Sequence, residues 1–589
     1  MKRKINTLKS LIFIVLLILL SCSGGRTKKI TILETTDVHG TILPYNFIEK
    51  VKLDESLAGV AGYLKKVRQE KGILILLDDG DNLQGQPEEY YYNFIDTISP
   101  HFNSEVMNYL LYDAGTVGNH DIETGHSVYD RVRREYKFPM LAANAVDVKS
   151  GKPYFEPYKL IRKNGLKIAV FGLITPAIPT WLPPELYSGI EFRDMVETAR
   201  KWMPVILNEK PDLVVGLFHS GWERSYDINK LNESLDENGS AAVAYKVPGF
   251  DVIFNGHDHN TVNEKFVSLS GDTVLILDGG SRSEKIARAD IAVSSKKIKG
   301  KRAKKSSGTI INVKDYTSDP DFMNRFSNQD KIIHQYVNKV IGESTNTISS
   351  RDAYFGSSAF VDMIHSEQLG ITGADVSFAA PLSFDVNILK GAVTVGDMFK
   401  LYRFENMLYT MNITGAEIIK YLEYSYSDWL STMKGPHDLM LRFRLDKDGK
   451  LLLISGRGRL QNPSYNFDSA AGIDYTVDIS KPEGKRITVK SFSDGRPFEA
   501  DKTYKVAVNS FRGNGGGGHF TEGAGINARE LRSRLISSTE RDIRYYIMKS
   551  IENKKVINPT PLNNWKIIPD NWVKAAAPHD YLLLFGETK

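Results

Sequence analysis

Five short polar segments in the first half of this 589-residue chain carry side chains of the types that bind metal ions. A run of aliphatic residues leads into four of the segments, and together the five segments hold five of the twelve histidines. Asp, Asn and neutral His supply the oxygen and nitrogen donors that suit zinc, manganese and iron, and one carboxylate can contact two ions. The segments are Asp37-Val38-His39-Gly40, Gly80-Asp81-Asn82, Gly118-Asn119-His120-Asp121, Phe218-His219-Ser220 and Gly256-His257-Asp258-His259.

Five aliphatic runs, four of which lead into these segments, predict the elements that must position them. Any single segment could equally be a turn or a helix cap, because Asp, Asn and Gly are common at both. The aliphatic runs, however, predict strands buried on both faces and separated by helices, which is an α/β arrangement. Ligands of such sheets bind beyond the carboxyl ends of the strands, so a shared site explains all the segments better. The runs are 30–33, 73–77, 167–173, 213–218 and 252–254.

The order of the five segments resembles that of the calcineurin-like metallophosphoesterases. For this α/β domain the resemblance implies a sandwich of two mixed sheets flanked by helices. It also implies two divalent ions (zinc, manganese or iron) and a bridging hydroxide that attacks phosphorus directly. One ion would be held by Asp37, His39 and His259 and the other by Asn119, His219 and His257, with Asp81 bridging both.

His120 follows the implied ligand Asn119, and the matching histidine of the family contacts the phosphoryl group and assists the leaving oxygen. An acid or cation there would offset charge that develops in the transition state. Three residues later the nucleotidase branch commonly has Asp, which orients the imidazole, whereas this chain has Glu123. Glu keeps the carboxylate on a longer side chain, so we predict that Glu123 supports His120. The alternative for His120 is a helix-capping role.

The second part of the chain predicts an α+β nucleotide-recognition domain. Beyond about residue 346 the sequence is rich in Gly turns, Tyr and Phe, and its segments 465–478, 504–518 and 563–569 resemble the 5'-nucleotidase C-terminal domain. In that family two aromatic rings sandwich the base, and the matching residues here are Tyr465 and Phe511. Stacking on a base contributes roughly 1 to 3 kcal/mol and tolerates different bases. The alternative is that both rings are packed in the core.

Over most of its length the chain is similar to the 5'-nucleotidase/2',3'-cyclic phosphodiesterase family. The 5'-nucleotidases clasp their nucleotide with arginines, but no arginine occurs here between Arg351 and Arg403. Fewer bidentate donors disfavour the capture of 5'-phosphates. Ala380-Pro381 and Tyr465-Asn466-Phe467-Asp468 are more similar to the 2',3'-cyclic-nucleotide 2'-phosphodiesterase/3'-nucleotidase branch.

We therefore predict a hydrolase that opens 2',3'-cyclic nucleotides and then removes the 3'-phosphate. The alternative enzymes are a 5'-nucleotidase and a UDP-sugar hydrolase. A different class, a nucleoside-binding lipoprotein without catalysis, would not need seven metal ligands.

The amino-terminal residues predict export. Residues 1–21 join four basic residues to an apolar run that is typical of a secretion signal and too short to span a membrane. Cys22, the single cysteine, follows directly. This resembles a bacterial lipoprotein signal, which implies cleavage before Cys22, lipidation there, and a protein anchored in the bacterial envelope. One cysteine also excludes an intrachain disulfide and cysteine-ligated metal clusters.

The formal net charge of +5 lies largely in the signal and in seven basic residues at 296–305. That cluster lacks the aromatic residues that nucleic-acid binding needs, so we predict a solvated loop. We expect a monomer with a nucleotide substrate, membrane contact through the lipid only, and no nucleic-acid polymer as partner. The predicted organisation is 1–21 signal peptide, 22–28 tether, 29–295 metallophosphoesterase domain, 296–345 basic loop and connecting helix, and 346–589 C-terminal substrate-binding domain.

Overall fold

The computed structural model describes residues 27–222, 236–298 and 301–587. The predicted signal peptide 1–21, the predicted lipidation site Cys22 and most of the tether 22–28 lie outside these residues. Of the helices in the described ranges, none combines the length and apolar character that crossing a bilayer requires.

Two six-stranded sheets form the N-terminal domain. In each sheet, parallel strands are flanked by antiparallel neighbours, so both sheets are mixed, as predicted. In spatial order the first sheet contains Lys301–Asn312, Lys285–Ile298, Thr27–Thr35, Ile73–Asp78, Ala114–Thr116 and Met140–Leu141. The second contains Thr261–Val267, Thr273–Gly279, Val252–Asn255, Leu213–His219, Leu166–Ile174 and Tyr158–Lys163.

The two sheets pack face to face over an aliphatic core, which confirms the predicted sandwich. Ile32 and Ile75 enter this core from the first sheet, and Val170 and Leu217 from the second. Burial of such side chains contributes about 1.5 to 3 kcal/mol each. Helices cover the outer faces. The helices of the domain are Leu57–Val67, Pro87–Phe94, Phe102–Leu110, Asn119–Glu123, His126–Glu135, Met195–Asn208 and Ser240–Lys246.

The C-terminal domain is α+β and centres on a five-stranded sheet. That sheet has the order Ser469–Ala471, Val376–Ala379, Thr503–Asn509, Met407–Thr414 and Leu535–Asp542. Two three-stranded sheets contain Gly391–Thr394, Val340–Ser344 and Val556–Ile557, and Ile487–Phe492, Ile473–Asp478 and Trp565–Ile568. The helices are Ala359–Thr372, Val395–Leu401, Gly415–Trp429, Ser510–Gly513, Ala528–Arg534, Ile543–Lys554 and Asp570–Phe585.

The basic stretch 296–305 differs from the solvated loop that we predict, because most of it lies in a β-hairpin. Strand Lys285–Ile298 pairs antiparallel with strand Lys301–Asn312, which forms the edge of the first sheet. Lysine is well tolerated on an edge strand, where its charge opposes pairing with another chain. A run of charge alone therefore does not distinguish a loop from an edge strand.

The connecting segment is helical, with helices at Pro320–Arg325 and Ser327–Val337. The next strand, Val340–Ser344, pairs with Gly391–Thr394 and Val556–Ile557. It therefore belongs to a sheet of the C-terminal domain, which begins a few residues before the boundary at 346 that we predict from composition.

The domains meet beside the carboxyl ends of the first sheet. Ile48 and Tyr90 of the N-terminal domain share a hydrophobic cluster with Phe399 of the C-terminal domain. The Tyr90 hydroxyl donates to Asp542 Oδ2 at 2.9 Å, and the Arg544 guanidinium lies 4.4 Å from the centre of the Tyr90 ring. These contacts bring the C-terminal loops to the edge that carries the polar segments.

Candidate metal centre

The five polar segments follow the carboxyl ends of strands in both sheets, as predicted. Asp37 comes after strand Thr27–Thr35, and Asp81 after Ile73–Asp78. Asn119 follows Ala114–Thr116, His219 ends strand Leu213–His219, and His257 follows Val252–Asn255. Because the two sheets pack face to face, the polar side chains that follow the strands of both sheets lie at one edge of the sandwich.

The backbone of this edge is unusual. Five of the implied ligands have left-handed φ angles: Asp37 (48°), His39 (47°), Asp81 (56°), His257 (78°) and His259 (59°). Such angles are uncommon in residues other than Gly and store of order 1 to 3 kcal/mol each, so they persist only where the surroundings hold them. Here the N–H of Asp37 donates to Gly80 O at 2.9 Å, and that of His39 donates to Asp81 O at 3.0 Å.

The first donor group consists of Asp37, His39 and His259. Their ligand atoms converge: His39 Nε2 lies 3.1 Å from His259 Nε2, and Asp37 Oδ1 lies 3.9 Å and 3.4 Å from these two nitrogens. His39 Nδ1 faces Gln84 O at 3.1 Å, which turns Nε2 into the site.

The second donor group consists of Asp81, His219 and His257, with Asn119 among them. Asn119 Oδ1 lies 3.1 Å from His219 Nε2 and 2.8 Å from His257 Nδ1. Asp81 Oδ2 lies 3.2 Å from His219 Nε2. The structure therefore brings together all seven side chains that the sequence resemblance implies as ligands.

Most of these distances fit two donors on one divalent ion, which lie about 2.8 to 3.3 Å apart if the bonds are about 2.0 Å long and meet at about 90 to 110°. The 3.9 Å between Asp37 Oδ1 and His39 Nε2 is longer. Asp37 Oδ1 is buried without a hydrogen-bond partner although it faces two imidazoles. A cation would satisfy this orphaned oxygen, and the donor set of carboxylate, amide and imidazole suits zinc, manganese or iron.

The ionisation of these side chains also suits a cation. Burial alone would raise the pKa of Asp81, but His219 and His120 outweigh it and hold the pKa well below its usual range. Burial lowers the pKa of His39 to about 4, so this imidazole is neutral. The pKa of His219 is raised well above its ordinary value because Asp81 outweighs the opposing effect of burial. A cation that binds His219 therefore displaces a proton.

Asp121 holds the segment that contains Asp81 in place, a role that the sequence reasoning missed. The backbone N–H groups of Asp81, Asn82, Leu83 and Gly118 all donate to its carboxylate at 2.8 to 3.0 Å. Four donors on one buried carboxylate lock the turn after strand Ile73–Asp78 against the start of helix Asn119–Glu123. The Gly-Asn-His-Asp pattern contained this signal, because a short acid at the third helical position is typical of a cap.

His120 and Glu123 form a pair beside the donor groups. His120 Nδ1 lies 2.5 Å from Glu123 Oε2, and the His120 ring lies 5.3 Å from that of His39. Burial lowers the pKa of His120, but Asp81 and then Glu123 outweigh it and raise the pKa to about 10. With Nδ1 directed at Glu123, Nε2 is the nitrogen left to face a substrate. The longer Glu thus reaches the imidazole as predicted.

Further residues around the site were not evident from the sequence. The Trp181 ring stacks on His257, with ring centres 5.6 Å apart, and His257 Nε2 lies 3.0 Å from Glu237 Oε1. Arg282 donates its backbone N–H to Asp37 O at 2.8 Å. Half-buried Arg403 of the C-terminal domain lies close to Arg282, whose backbone contacts Asp37. The pKa of Arg403 is lowered, first by burial and then by the positive charge of Arg282.

Beneath the donor groups lie three further acids: Glu34, Asp79 and Asp278 are all 0% exposed. Burial, and then neighbouring carboxylates, raises the pKa of Glu34 well above its ordinary value. Neither carboxyl oxygen of Glu34 or Asp79 has a hydrogen-bond partner in the described residues. Burial and the neighbouring carboxylates therefore favour the protonated form of Glu34.

The two predicted aromatic residues lie on neighbouring loops. Tyr465 is 42% exposed and Phe511 is half-buried, so neither is a core residue. Buried Arg512 joins the loops: its Nη2 donates to Tyr465 O at 2.7 Å, its Nε donates to Asp468 Oδ2 at 3.0 Å, and its guanidinium lies 5.4 Å from the Phe511 ring. Asn514 Nδ2, on the Phe511 loop, donates to Trp181 O at 3.2 Å. This contact ties the aromatic loops to the metal centre.

Comparison with protein families gives two matches. Residues 30–261 match the calcineurin-like phosphoesterase model, and residues 340–522 match the 5'-nucleotidase C-terminal domain model. The first match spans all seven donor side chains, and the second spans both aromatic loops.

Individual proteins are similar to this chain over most of its length. The chain is 27% identical to the trifunctional nucleotide phosphoesterase protein YfkN of Bacillus subtilis over 93% of its own length but only 39% of that longer protein. It is 25% identical to a 2',3'-cyclic-nucleotide 2'-phosphodiesterase/3'-nucleotidase of Salmonella typhimurium, covering 93% of this chain and 90% of that one. A solved structure from Staphylococcus aureus, a complex with alpha-ketoglutarate, superposes with a TM-score of 0.73 at 20% identity, covering 92% of this chain and 100% of that one.

Proposed function

From the premise that this chain joins a calcineurin-like phosphoesterase domain to a 5'-nucleotidase C-terminal domain, we propose that it is a two-metal phosphoester hydrolase acting on nucleotides. Its substrates would be 2',3'-cyclic nucleotides, opened to 3'-nucleotides and then hydrolysed to nucleosides. The observation that carries this proposal is the convergence of two donor groups at one edge of the sandwich, beside a His–Glu pair and two aromatic loops.

Asp37, His39 and His259 would hold one ion, and Asn119, His219 and His257 the other, with Asp81 between them. Two divalent ions in these groups would supply Lewis-acid activation of water and charge neutralisation at the phosphoryl group. Asp37 and Asp81 are ionised for this role, and the carbonyl oxygens of Gln84 and Asp79 orient His39 and His219 from behind. Such outer contacts fix ring orientation at metal sites.

The remaining roles belong to the chain's own side chains. His120 would donate a proton from Nε2 to the leaving sugar oxygen while Glu123 holds Nδ1. Tyr465 and Phe511 would stack on the base, and Arg512 would keep both loops in place. The positive potential of Arg282 and Arg403 would favour an anionic substrate.

The relatives support the branch assignment: the curated protein from Salmonella typhimurium that carries the cyclic phosphodiesterase name aligns over nearly its whole length. A 5'-nucleotidase is the second candidate. The segment 352–402 contains no arginine, but Arg282 and Arg403 supply two cations from elsewhere, and their presence favours this candidate. The donor groups argue against a binding protein without catalysis.

We also propose that the chain is exported, cleaved before Cys22 and lipidated there. The support is the signal-like sequence at 1–21 together with the position of the single cysteine. Mass spectrometry of the amino-terminal peptide from purified envelope protein tests this. A lipid-modified Cys22 supports the proposal, and an unmodified or uncleaved terminus contradicts it.

An assay of the purified protein with 2',3'-cAMP, 3'-AMP, 5'-AMP and UDP-glucose in the presence of manganese or zinc tests the activity. We expect 2',3'-cAMP to give 3'-AMP and then adenosine, and Asp81→Asn to lose both hydrolysis and bound metal. Turnover of 5'-AMP alone would contradict the branch assignment. Absence of hydrolysis of every phosphoester would contradict the function itself.

A further inference from the structure

The end of the hairpin formed by Lys285–Ile298 and Lys301–Asn312 presents an excess of positive charge. Its described basic side chains outside the turn are Lys296, Lys297, Arg302, Lys304 and Lys305, and all of these lysines are exposed. We refer to these five residues as the basic end. The absence of aromatic side chains from 294 to 307 leaves no platform on which a nucleic-acid base could stack.

Neighbouring acids neutralise only part of this charge. Asp212 pairs with Arg302 at 2.8 Å and with Lys297 at 3.5 Å, and Asp251 pairs with Lys304 at 2.5 Å. Lys296 and Lys305 have no ion pair to any residue that the structure describes. Five basic residues against two acids leave the basic end clearly positive.

The chain enters the fold beside this basic end. Strand Thr27–Thr35 pairs with Lys285–Ile298 so that Thr27 is opposite Ser294 and Lys28 is opposite Val293. Thr27 is therefore one strand away from the start of the basic end. Four residues lie between Cys22 and Thr27, and the five steps from one to the other span at most about 18 Å when fully extended.

The metal centre lies at the opposite end of the same sheet. Strand Thr27–Thr35 runs from the basic end towards Asp37 over nine residues. At about 3.3 Å per residue this strand is roughly 30 Å long. A surface bound at the basic end would leave the metal centre about that far away and open to solution.

We propose that the basic end is a docking surface for the anionic head groups of a phospholipid membrane, acting together with the lipid on Cys22. This replaces the expectation from the sequence that the lipid is the only contact with the membrane. This inference rests on the export and anchoring proposed above. A lipid chain and a polybasic patch reinforce each other, because the chain keeps the patch within the narrow layer where the membrane's negative potential acts. The patch in turn fixes the orientation of the sheet, with its metal-binding edge directed away from the membrane.

The test uses the complete lipidated protein reconstituted in vesicles of phosphatidylcholine alone or mixed with phosphatidylglycerol. An amine-reactive label, read by peptide mass mapping, reports the exposure of each lysine. We expect labelling of Lys296, Lys297, Lys304 and Lys305 to fall several-fold in the anionic vesicles only and to recover in high salt. Exposed Lys447 of the C-terminal domain is the control and should label equally in all vesicles.

A variant with Lys296→Gln and Lys305→Gln completes the experiment. Both side chains are exposed, so we expect normal folding and unchanged turnover of soluble nucleotide, but loss of the protection of Lys297 and Lys304 in anionic vesicles. Equal labelling of Lys296 in both kinds of vesicle would overturn the inference.

If the amino-terminal peptide proves to carry no lipid, the anchoring proposal fails separately. Salt-sensitive co-flotation of that unlipidated protein with phosphatidylglycerol vesicles, lost in the double variant, would then support the basic end as a docking surface, and its absence would overturn the inference.

Discussion

Glu123→Gln removes one negative charge from the pair that we propose as proton donor, while keeping the length of the side chain and an oxygen that can accept a hydrogen bond. The carboxylate is 8% exposed and its Oε2 lies 2.5 Å from His120 Nδ1. A hydrogen bond between charged groups contributes about 1.5 to 3 kcal/mol, so its replacement by a weaker bond to a neutral amide should lower kcat by up to about 150-fold. KM should change little, because Glu123 faces the imidazole.

The pH dependence gives a second readout. Glu123 helps raise the pKa of His120 above its ordinary value, so the protonated imidazole is lost only as the pH rises through that raised value. Removal of the carboxylate lowers the pKa of His120. We therefore expect the alkaline limb of the kcat profile to move to lower pH in Glu123→Gln.

The assay compares 3'-AMP with p-nitrophenyl phosphate, whose leaving group departs as a stable anion and needs little proton donation. We expect a large loss for 3'-AMP and a small one for p-nitrophenyl phosphate, with metal content unchanged. Glu123→Asp keeps the charge and should retain most of the activity. Equal losses on both substrates, or unchanged kinetics with 3'-AMP, would refute the assignment of His120 and Glu123 as a proton-donating pair.

Tyr465→Ala and Phe511→Ala should each lower kcat/KM for a nucleotide about 5- to 150-fold, the loss expected for one stacking contact, without affecting p-nitrophenyl phosphate; equal effects on both substrates would contradict base stacking. In Gly118→Ala the new Cβ would lie 2.1 Å from the carboxylate proposed to bridge the ions, so bound metal per chain should fall, whereas Gly370→Ala, which meets nothing within 4 Å, should retain it. The pKa of Glu34 is raised in the folded protein, so folding favours binding of a proton there. The free energy of unfolding therefore falls as the pH rises above the ordinary pKa of a Glu side chain. Glu34→Gln should abolish up to about 1.4 kcal/mol per pH unit of that loss, and a constant difference in Tm from wild type between pH 5 and 9 would contradict this.

Much of the fold could be predicted because the information is local. Strand Ile73–Asp78 is an uninterrupted aliphatic run, and such runs mark strands that are buried on both faces. The helical connector at 320–337 also follows from a local pattern, whereas the two mixed sheets were expected only from the resemblance to the calcineurin-like metallophosphoesterases. The basic hairpin could not be predicted from the sequence, because a lysine-rich edge strand and a solvated loop have the same composition.

The site divides in the same way. The types and order of Asp37, Asp81, Asn119 and the histidines were visible in the sequence, since each lies a few residues behind its own strand. The sequence did not show which atoms converge, because the donors of one group are up to 222 positions apart in the chain. Their convergence depends on the face-to-face packing of two sheets and on left-handed backbone angles that hold the ligands in place.

The sequence by itself determined the chemistry: carboxylate, amide and imidazole donors at strand ends, two aromatic loops, and a single cysteine behind a signal-like segment. Only the tertiary structure decided the surroundings. It stacked Trp181 on His257, brought Arg403 near Arg282, joined the aromatic loops through Arg512, and set the basic end beside Thr27. The physical reason is that a residue's chemistry is a property of its own atoms, whereas its neighbours depend on the packing of segments distant in the chain.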